Sequence, residues 1–110
     1  MELQSVIEQM IKTSQKIDIA INELYRCARK KADTERDYRE ALSKEIARLR
    51  VDGVPTTIVK DLAKGNVLDL MHERDLADVL YKSANESMKA LRSQLNGLQT
   101  VSKYQSDTGG

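Results

Sequence analysis

The sequence has very few of the residues that build large cores or interrupt helices. Its 110 residues include no Trp, no Phe and one Pro, and aromatic residues make up 4% of the chain. A core without Trp or Phe has to be built from Leu, Ile, Val, Met and Ala, and this length allows one domain with a modest core. We therefore expect a single domain over residues 1–105, followed by a disordered tail at 106–110.

Soft metal ligands are equally scarce. Cys27 is the only cysteine and His72 the only histidine, so neither an intramolecular disulfide nor a zinc site can be assembled from them. We expect Cys27 to be a small buried residue. No cofactor is predicted.

Long apolar runs and a dominant charge are missing as well. The stretch Ile17–Ile21 is interrupted by Asp18, whereas a membrane-spanning helix needs about 20 apolar positions. The amino terminus has no basic flank and no apolar signal segment, which predicts a cytoplasmic protein. With 18 Lys and Arg against 17 Asp and Glu, the chain has no overall field that attracts nucleic acid or membranes.

The first half of the chain carries one continuous helical pattern. A heptad pattern of mostly apolar residues recurs at alternating steps of four and three from Leu3 to Leu49, and neither Pro nor Gly occurs between residues 2 and 52. Four positions of the pattern are polar: Ser14, Lys31, Glu35 and Glu45. The pattern predicts a helix over about 3–50. A bend near residues 32–34 is the alternative, because Thr34 and Asp37 have the spacing of a capping box.

Residues 51–66 contain the only Pro and mark the main break in the pattern. Gly53 suits the left-handed residue after a helix, and Pro55 or Thr56 suits the start of a short helix over about 56–64, ended by Gly65. Its Ile58 and Leu62 are expected to pack on Leu49 and Leu70. Asn66 is expected to cap a second long helix over about 67–104, with Asp69 in its first turn.

Two long helices joined by a compact connector predict an all-α antiparallel hairpin. If Leu49 faces Leu70, facing residue numbers add up to about 119, which places Leu42 opposite Ala77 and Tyr38 opposite Tyr81. The same register predicts an ion pair between Glu45 and Arg74. The alternative is that Arg74 lays its stem along the seam with its charge in water.

The apolar stripes are broader than a two-stranded seam requires, so we expect hairpins to associate into an oligomeric helical bundle, a homo-oligomer that tolerates salt. The residues predicted to form this self-association seam are Leu3, Ile7, Met10, Ile17, Ile21, Leu24, Tyr38, Leu42, Leu49, Leu70, Tyr81, Met88, Leu91, Leu95 and Leu98.

No pattern indicates catalysis. The run His72–Asp75 lacks the surroundings of a kinase catalytic loop, and no nucleophile has a recognisable partner, so we predict a protein that is not an enzyme and contacts an unknown protein partner. The alternative function is nucleic-acid binding by one basic helix face, with acidic residues interleaved. Its residues are Arg26, Arg29, Lys30 and Arg36.

Four short stretches carry a resemblance to a known group of proteins. They are Asp52-Gly53-Val54-Pro55, Lys60-Asp61-Leu62-Ala63-Lys64-Gly65, Glu73-Arg74-Asp75-Leu76-Ala77 and Ala90-Leu91-Arg92-Ser93-Gln94-Leu95. Over about residues 45–100 the chain resembles small all-helical proteins of phages and prophages of Gram-positive bacteria. The resemblance implies a host-cell cytoplasmic accessory of phage DNA recombination or replication, and it supplies no site residue.

Overall fold

A computed structural model describes residues 2–109, with only the backbone described at residues 108 and 109. It contains helix α1 (Leu3–Val51), helix α2 (Thr56–Asn66) and helix α3 (Leu68–Gly109), and the described residues include no strand. α1 packs against α3 as an antiparallel hairpin with the short α2 between them in the chain. The predicted all-α hairpin is confirmed.

The packing divides into two compact units. The first joins Met1–Arg26 and Lys82–Gly110, as far as these segments are described, and the second is Cys27–Tyr81. The sequence predicts one domain over 1–105. Two units arise because, in a pair of antiparallel helices, each turn contacts only the facing turns of its neighbour.

Helix α1 runs without interruption through the predicted alternative bend. The hydroxyl of Thr34 donates to the carbonyl of Lys30 at 2.8 Å, inside the helix, and so does not cap a new one. The i,i+4 pairs Glu35–Arg39 and Glu40–Lys44 bridge the same region at 2.7 and 3.1 Å. The continuous helix is confirmed.

The end of α1 is a Schellman motif. The amide of Val54 donates to the carbonyl of Leu49 at 3.0 Å, and the amide of Gly53 donates to that of Arg50 at 3.1 Å. Gly53 has a φ of 82°, as predicted for the residue that follows the helix. Val54 packs against the buried cluster that contains Leu49.

The junction between α2 and α3 differs from the prediction. α2 continues through Gly65 to Asn66, and Val67 alone separates it from α3. Asn66 does not cap α3, because its side chain binds Glu45 of α1 instead. The first backbone acceptor of α3 is Val67, whose carbonyl receives the amide of Met71 at 3.1 Å. Asp69 does lie in the first turn of α3, as predicted.

Helix α3 also ends later than the predicted residue 104. Its backbone remains helical to Gly109, where the sequence predicts an unordered tail at 106–110, and Gly110 lies outside the described residues. No Pro occurs in this segment, and each residue that extends an existing helix adds one backbone hydrogen bond.

The core of the second unit joins α1 and α2. Leu49 packs with Val59 and Ala63, which are almost completely buried. The sequence predicts Ile58 and Leu62 in this position, but they are 49% and 42% exposed. α2 presents its Val59 and Ala63 edge to α1, because Ala63 permits a closer approach of the two helices than Leu62 would.

Candidate functional site

A layer of charged side chains crosses the seam of the second unit. The guanidinium of Arg74 lies over the Tyr38 ring, with Cζ 4.2 Å from its centroid. Its Nε is 3.8 Å from a carboxylate oxygen of Glu35, and its Nη2 donates to Asp75 at 2.9 Å. The hydrogen bond with Asp75 raises the pKa of Arg74 above its ordinary value, so the side chain stays charged.

A second cation lies in the same layer. Nζ of Lys31 is 4.8 Å from the centroid of the Tyr81 ring and 3.3 Å from a carboxylate oxygen of Asp78. Cations over aromatic faces are attracted by the ring quadrupole, so both charges have partners within the seam. These polar positions therefore hold the two helices together and are not gaps in the stripe.

The observed register differs from the predicted one by one heptad. The contact of Tyr38 with Arg74 and that of Lys31 with Tyr81 each join residues whose numbers add up to 112, where the prediction was about 119. The predicted facing of Tyr38 and Tyr81 is therefore wrong. A shift of seven residues keeps the same faces together. Its cause is α2, which covers Leu49 in place of Leu70.

The predicted ion pair between Glu45 and Arg74 is wrong for the same reason. Glu45 binds Arg48 on its own helix and accepts a hydrogen bond from the side chain of Asn66 at 2.8 Å. The hydrogen bond from Arg48, followed by that from Asn66, lowers the pKa of the Glu45 carboxyl. Glu45 thus joins α1 to the end of α2.

Most residues of the predicted seam are at least partly covered by packing within one chain. Of its fifteen residues, Tyr38, Leu49, Met88 and Leu98 are buried, Leu3 and Ile7 are exposed, and the others are half-buried. The buried positions of α3 follow the predicted pattern. Whether seam residues also join separate copies stays a prediction.

On α1 one of the two rows of covered residues lies one position earlier in the sequence than predicted. Val6, Thr13, Cys27 and Thr34 are buried and Ala20 and Ala41 are half-buried, at steps of seven residues. Sequence reasoning identified Cys27 but missed Thr13 and Thr34. The available signal was the recurrence of small side chains, which let two helices approach closely.

All four residues predicted to form a basic face are exposed. Arg26 lies in the first unit, and Arg29, Lys30 and Arg36 lie in the second. In the first unit Arg26 pairs with Glu23. In the second, Arg36 lies 3.9 Å from Asp33 and 3.5 Å from Asp37, while Arg29 and Lys30 form no ion pair within the described residues. The face is therefore partly neutralised by its own helix.

The first unit contains a groove of about 390 Å³ between α1 and α3. Ile7, Met10 and Ile11 of α1 and Leu95 of α3 line its apolar part, and Asp18 provides a carboxylate. Within residues 2–109 no cluster of three or more potential metal ligands occurs, and no helix has the length and apolar character needed to cross a membrane.

Two exposed stripes lie on the outside of the second unit, away from the seam. We define the α3 outer stripe as Leu68, Leu76, Val79 and Leu80, which are 49–60% exposed. We define the α1 outer stripe as the exposed residues that follow one another at steps of three or four along the opposite side of α1 from its seam. They are Arg29, Ala32, Arg36, Arg39, Ser43, Ala47 and Arg50.

Comparisons with protein families, with curated proteins and with solved structures find no match to this chain. The resemblance to phage and prophage proteins therefore remains a prediction from the sequence.

Proposed function

We propose that the chain is a non-enzymatic helical protein that acts through protein–protein contacts and associates with further copies of itself. The observation that carries this proposal is the apolar surface that remains outside the hairpin seam. The α3 outer stripe alone exposes four large aliphatic side chains within thirteen residues. Grouped apolar residues of this kind are typical of interaction surfaces.

The total surface area supports the same proposal. The chain exposes 8026 Å² at 12.4 kDa, whereas about 6,100 Å² is usual for a monomeric protein of this mass. The difference is larger than the roughly 800 Å² that each partner buries in an interface of standard size. A second copy has enough area on which to dock.

The resemblance over residues 45–100 adds a context to the proposal. It favours an accessory role in phage DNA recombination or replication, in the cytoplasm of the host cell. This part rests on the four short stretches quoted above.

Light scattering after size exclusion, at two concentrations that differ by an order of magnitude, tests the proposal. We expect the mass to exceed 12.4 kDa and to rise with concentration. A mass of 12.4 kDa at both concentrations contradicts it.

A further inference from the structure

The α3 outer stripe is apolar at its centre and acidic at its borders. Asp69 and Glu73 lie on one side and Asp75 on the other, and all three are exposed. From Leu68 to Tyr81 the only cation is Arg74, which lies over Tyr38 and also donates to Asp75 at 2.9 Å. Among the described residues, the unpaired acidic charge of the stripe is therefore that of Asp69 and Glu73. A partner of this stripe has to offer apolar contact together with positive charge.

The α1 outer stripe has these properties. It carries four Arg side chains, no acidic one, and the small residues Ala32, Ser43 and Ala47 between them. Arg29 and Arg50 form no ion pair within the described residues, whereas Arg36 and Arg39 have acidic neighbours on their own helix. Small residues let another helix approach, and the methylene stems of Arg cover apolar side chains while the charged group reaches a carboxylate.

Contacts between two identical stripes are electrostatically unfavourable. Two α3 outer stripes bring the border with Asp69 and Glu73 against a border of the same sign. Two α1 outer stripes bring together Arg29 and Arg50, which form no ion pair within the described residues, with the same two residues of the other copy. Like charges placed together across an interface oppose association. The two different stripes are complementary, and both lie in the second unit of every copy.

We propose that the α3 outer stripe of one copy docks on the α1 outer stripe of a second copy. This inference rests on the proposed self-association and names the surfaces that perform it. Because the two surfaces differ, a docked pair of copies still presents one unused stripe of each kind. Association is then head-to-tail and continues beyond two copies unless the rotation closes a ring.

Three or four helical turns make a small interface, at the weak end of the range below about 1,200 Å². We therefore expect a concentration-dependent assembly whose dissociation constant rises at least tenfold when charge is reversed on one stripe. Added salt is expected to weaken this assembly, because exposed charges are screened. It differs in this respect from the salt-tolerant association through the apolar seam that the sequence predicts.

Charge exchange between the stripes is the decisive experiment. One variant carries Asp69→Lys and Glu73→Lys, and the other carries Arg36→Glu and Arg39→Glu. The first variant places two Lys opposite the Arg side chains of the α1 outer stripe, and the second places two Glu opposite Asp69 and Glu73. Each variant alone is therefore expected to assemble at least tenfold more weakly than the wild type in light scattering. An equimolar mixture regains complementary pairs of stripes and is expected to recover the mass of the wild-type assembly.

Lys30→Glu with Lys44→Glu is the matched control. It reverses two charges on α1 at exposed positions outside the outer stripe and is expected to assemble like the wild type. Circular dichroism checks that every variant is helical. Should the charge reversal unfold α1, Arg36→Gln with Arg39→Gln removes the same cations without adding acidic repulsion and is expected to raise the dissociation constant.

The outcomes separate this inference from the proposed function. A wild-type chain that stays monomeric contradicts both. A wild-type chain that assembles while either charge-reversed variant assembles equally well contradicts the docking surfaces alone. Two weakened variants that assemble no better when mixed also overturn the pairing of these two stripes.

Discussion

The guanidinium of Arg74 on α3 lies over the ring of Tyr38 on α1, with Cζ 4.2 Å from the ring centroid. Tyr38 is buried and Arg74 is half-buried, so this contact is part of the hairpin seam. It explains why an arginine occupies a position where the pattern of apolar residues predicts Leu or Ala. Planar Arg stacks on an aromatic face while keeping hydrogen bonds to carboxylates at its edge.

The contact is expected to contribute measurable stability. In a double-mutant cycle with Tyr38→Leu and Arg74→Met, we expect a coupling free energy of about 0.5–2 kcal/mol. Urea unfolding of the four proteins measures it. Tyr38→Phe retains the ring and is expected to lose less stability than Tyr38→Leu. A coupling free energy near zero contradicts a stabilising contact.

The register can be tested by chemical cross-linking. With Cys27→Ala as background, Lys31→Cys with Asp78→Cys is expected to react with a short bifunctional maleimide, because the native side chains lie 3.3 Å apart. Ala41→Cys with Asp78→Cys is the control, and it joins positions that face each other only in the register predicted from sequence. Position 41 lies ten residues from position 31, about 15 Å along α1. Efficient linking of the control pair alone contradicts the observed register.

Packing of α2 on α1 depends on Leu49. Leu49→Ala opens a cavity beside Val59 and Ala63, and we expect a loss of about 2–5 kcal/mol in the free energy of unfolding. Leu62→Ala, on the exposed side of α2, is expected to change it by less than about 0.5 kcal/mol. Thermal and urea unfolding provide the values. Equal losses for both variants contradict the observed face of α2.

We expect the carboxyl of Glu45 to titrate at a lower pH than the carboxyl of an ordinary glutamate. Its pKa is lowered in the folded chain, first by Arg48 and then by Asn66, so its contribution to stability is present above the ordinary glutamate pKa and is lost as pH falls through the lowered value. Asn66→Ala raises this pKa, and Arg48→Gln raises it further. Carbon NMR of the carboxyl group against pH gives the midpoints. A midpoint unchanged by both substitutions contradicts these contacts.

Binding to nucleic acid is the alternative that the basic face leaves open. Because Arg26 and Arg36 are paired with acidic neighbours, we expect no binding of short single-stranded or double-stranded DNA at physiological salt in fluorescence anisotropy. Binding that falls steeply with salt, and that Arg26→Glu, Arg29→Glu and Lys30→Glu together abolish, contradicts this prediction and supports the alternative.

Periodicity along the chain was sufficient to predict the helices and the side of the seam that α3 provides. The buried residues Met88 and Leu98 of α3 are both among the residues predicted for the seam. On α1 the stripe was placed toward the larger residues, such as Ile7, although the chain buries Val6 and Thr13 there. A pattern that counts apolar residues does not recognise small polar residues that allow close helix packing.

The surfaces of the candidate site were harder to predict from the sequence than the helices were. The seam was proposed for self-association, yet most of it is at least partly covered within the chain, and the α3 outer stripe became visible only when its residues were found exposed. Exposure depends on which elements cover a face, and that is a property of the folded chain.

Local signals along the chain were enough to predict the helices, the Gly53 turn and the hairpin. Helix periodicity, a left-handed Gly and the absence of internal helix breakers can all be recognised without the tertiary structure. The register, the partner of Glu45 and the face of α2 that packs on Leu49 depend on contacts between helices and were not predicted from the sequence. A heptad pattern is nearly unchanged when one helix slides by seven residues, so the stripe alone cannot select a register. Contacts between residues distant in the sequence select the register. α2 packs on Leu49, and the cations of Lys31 and Arg74 lie over the rings of Tyr81 and Tyr38.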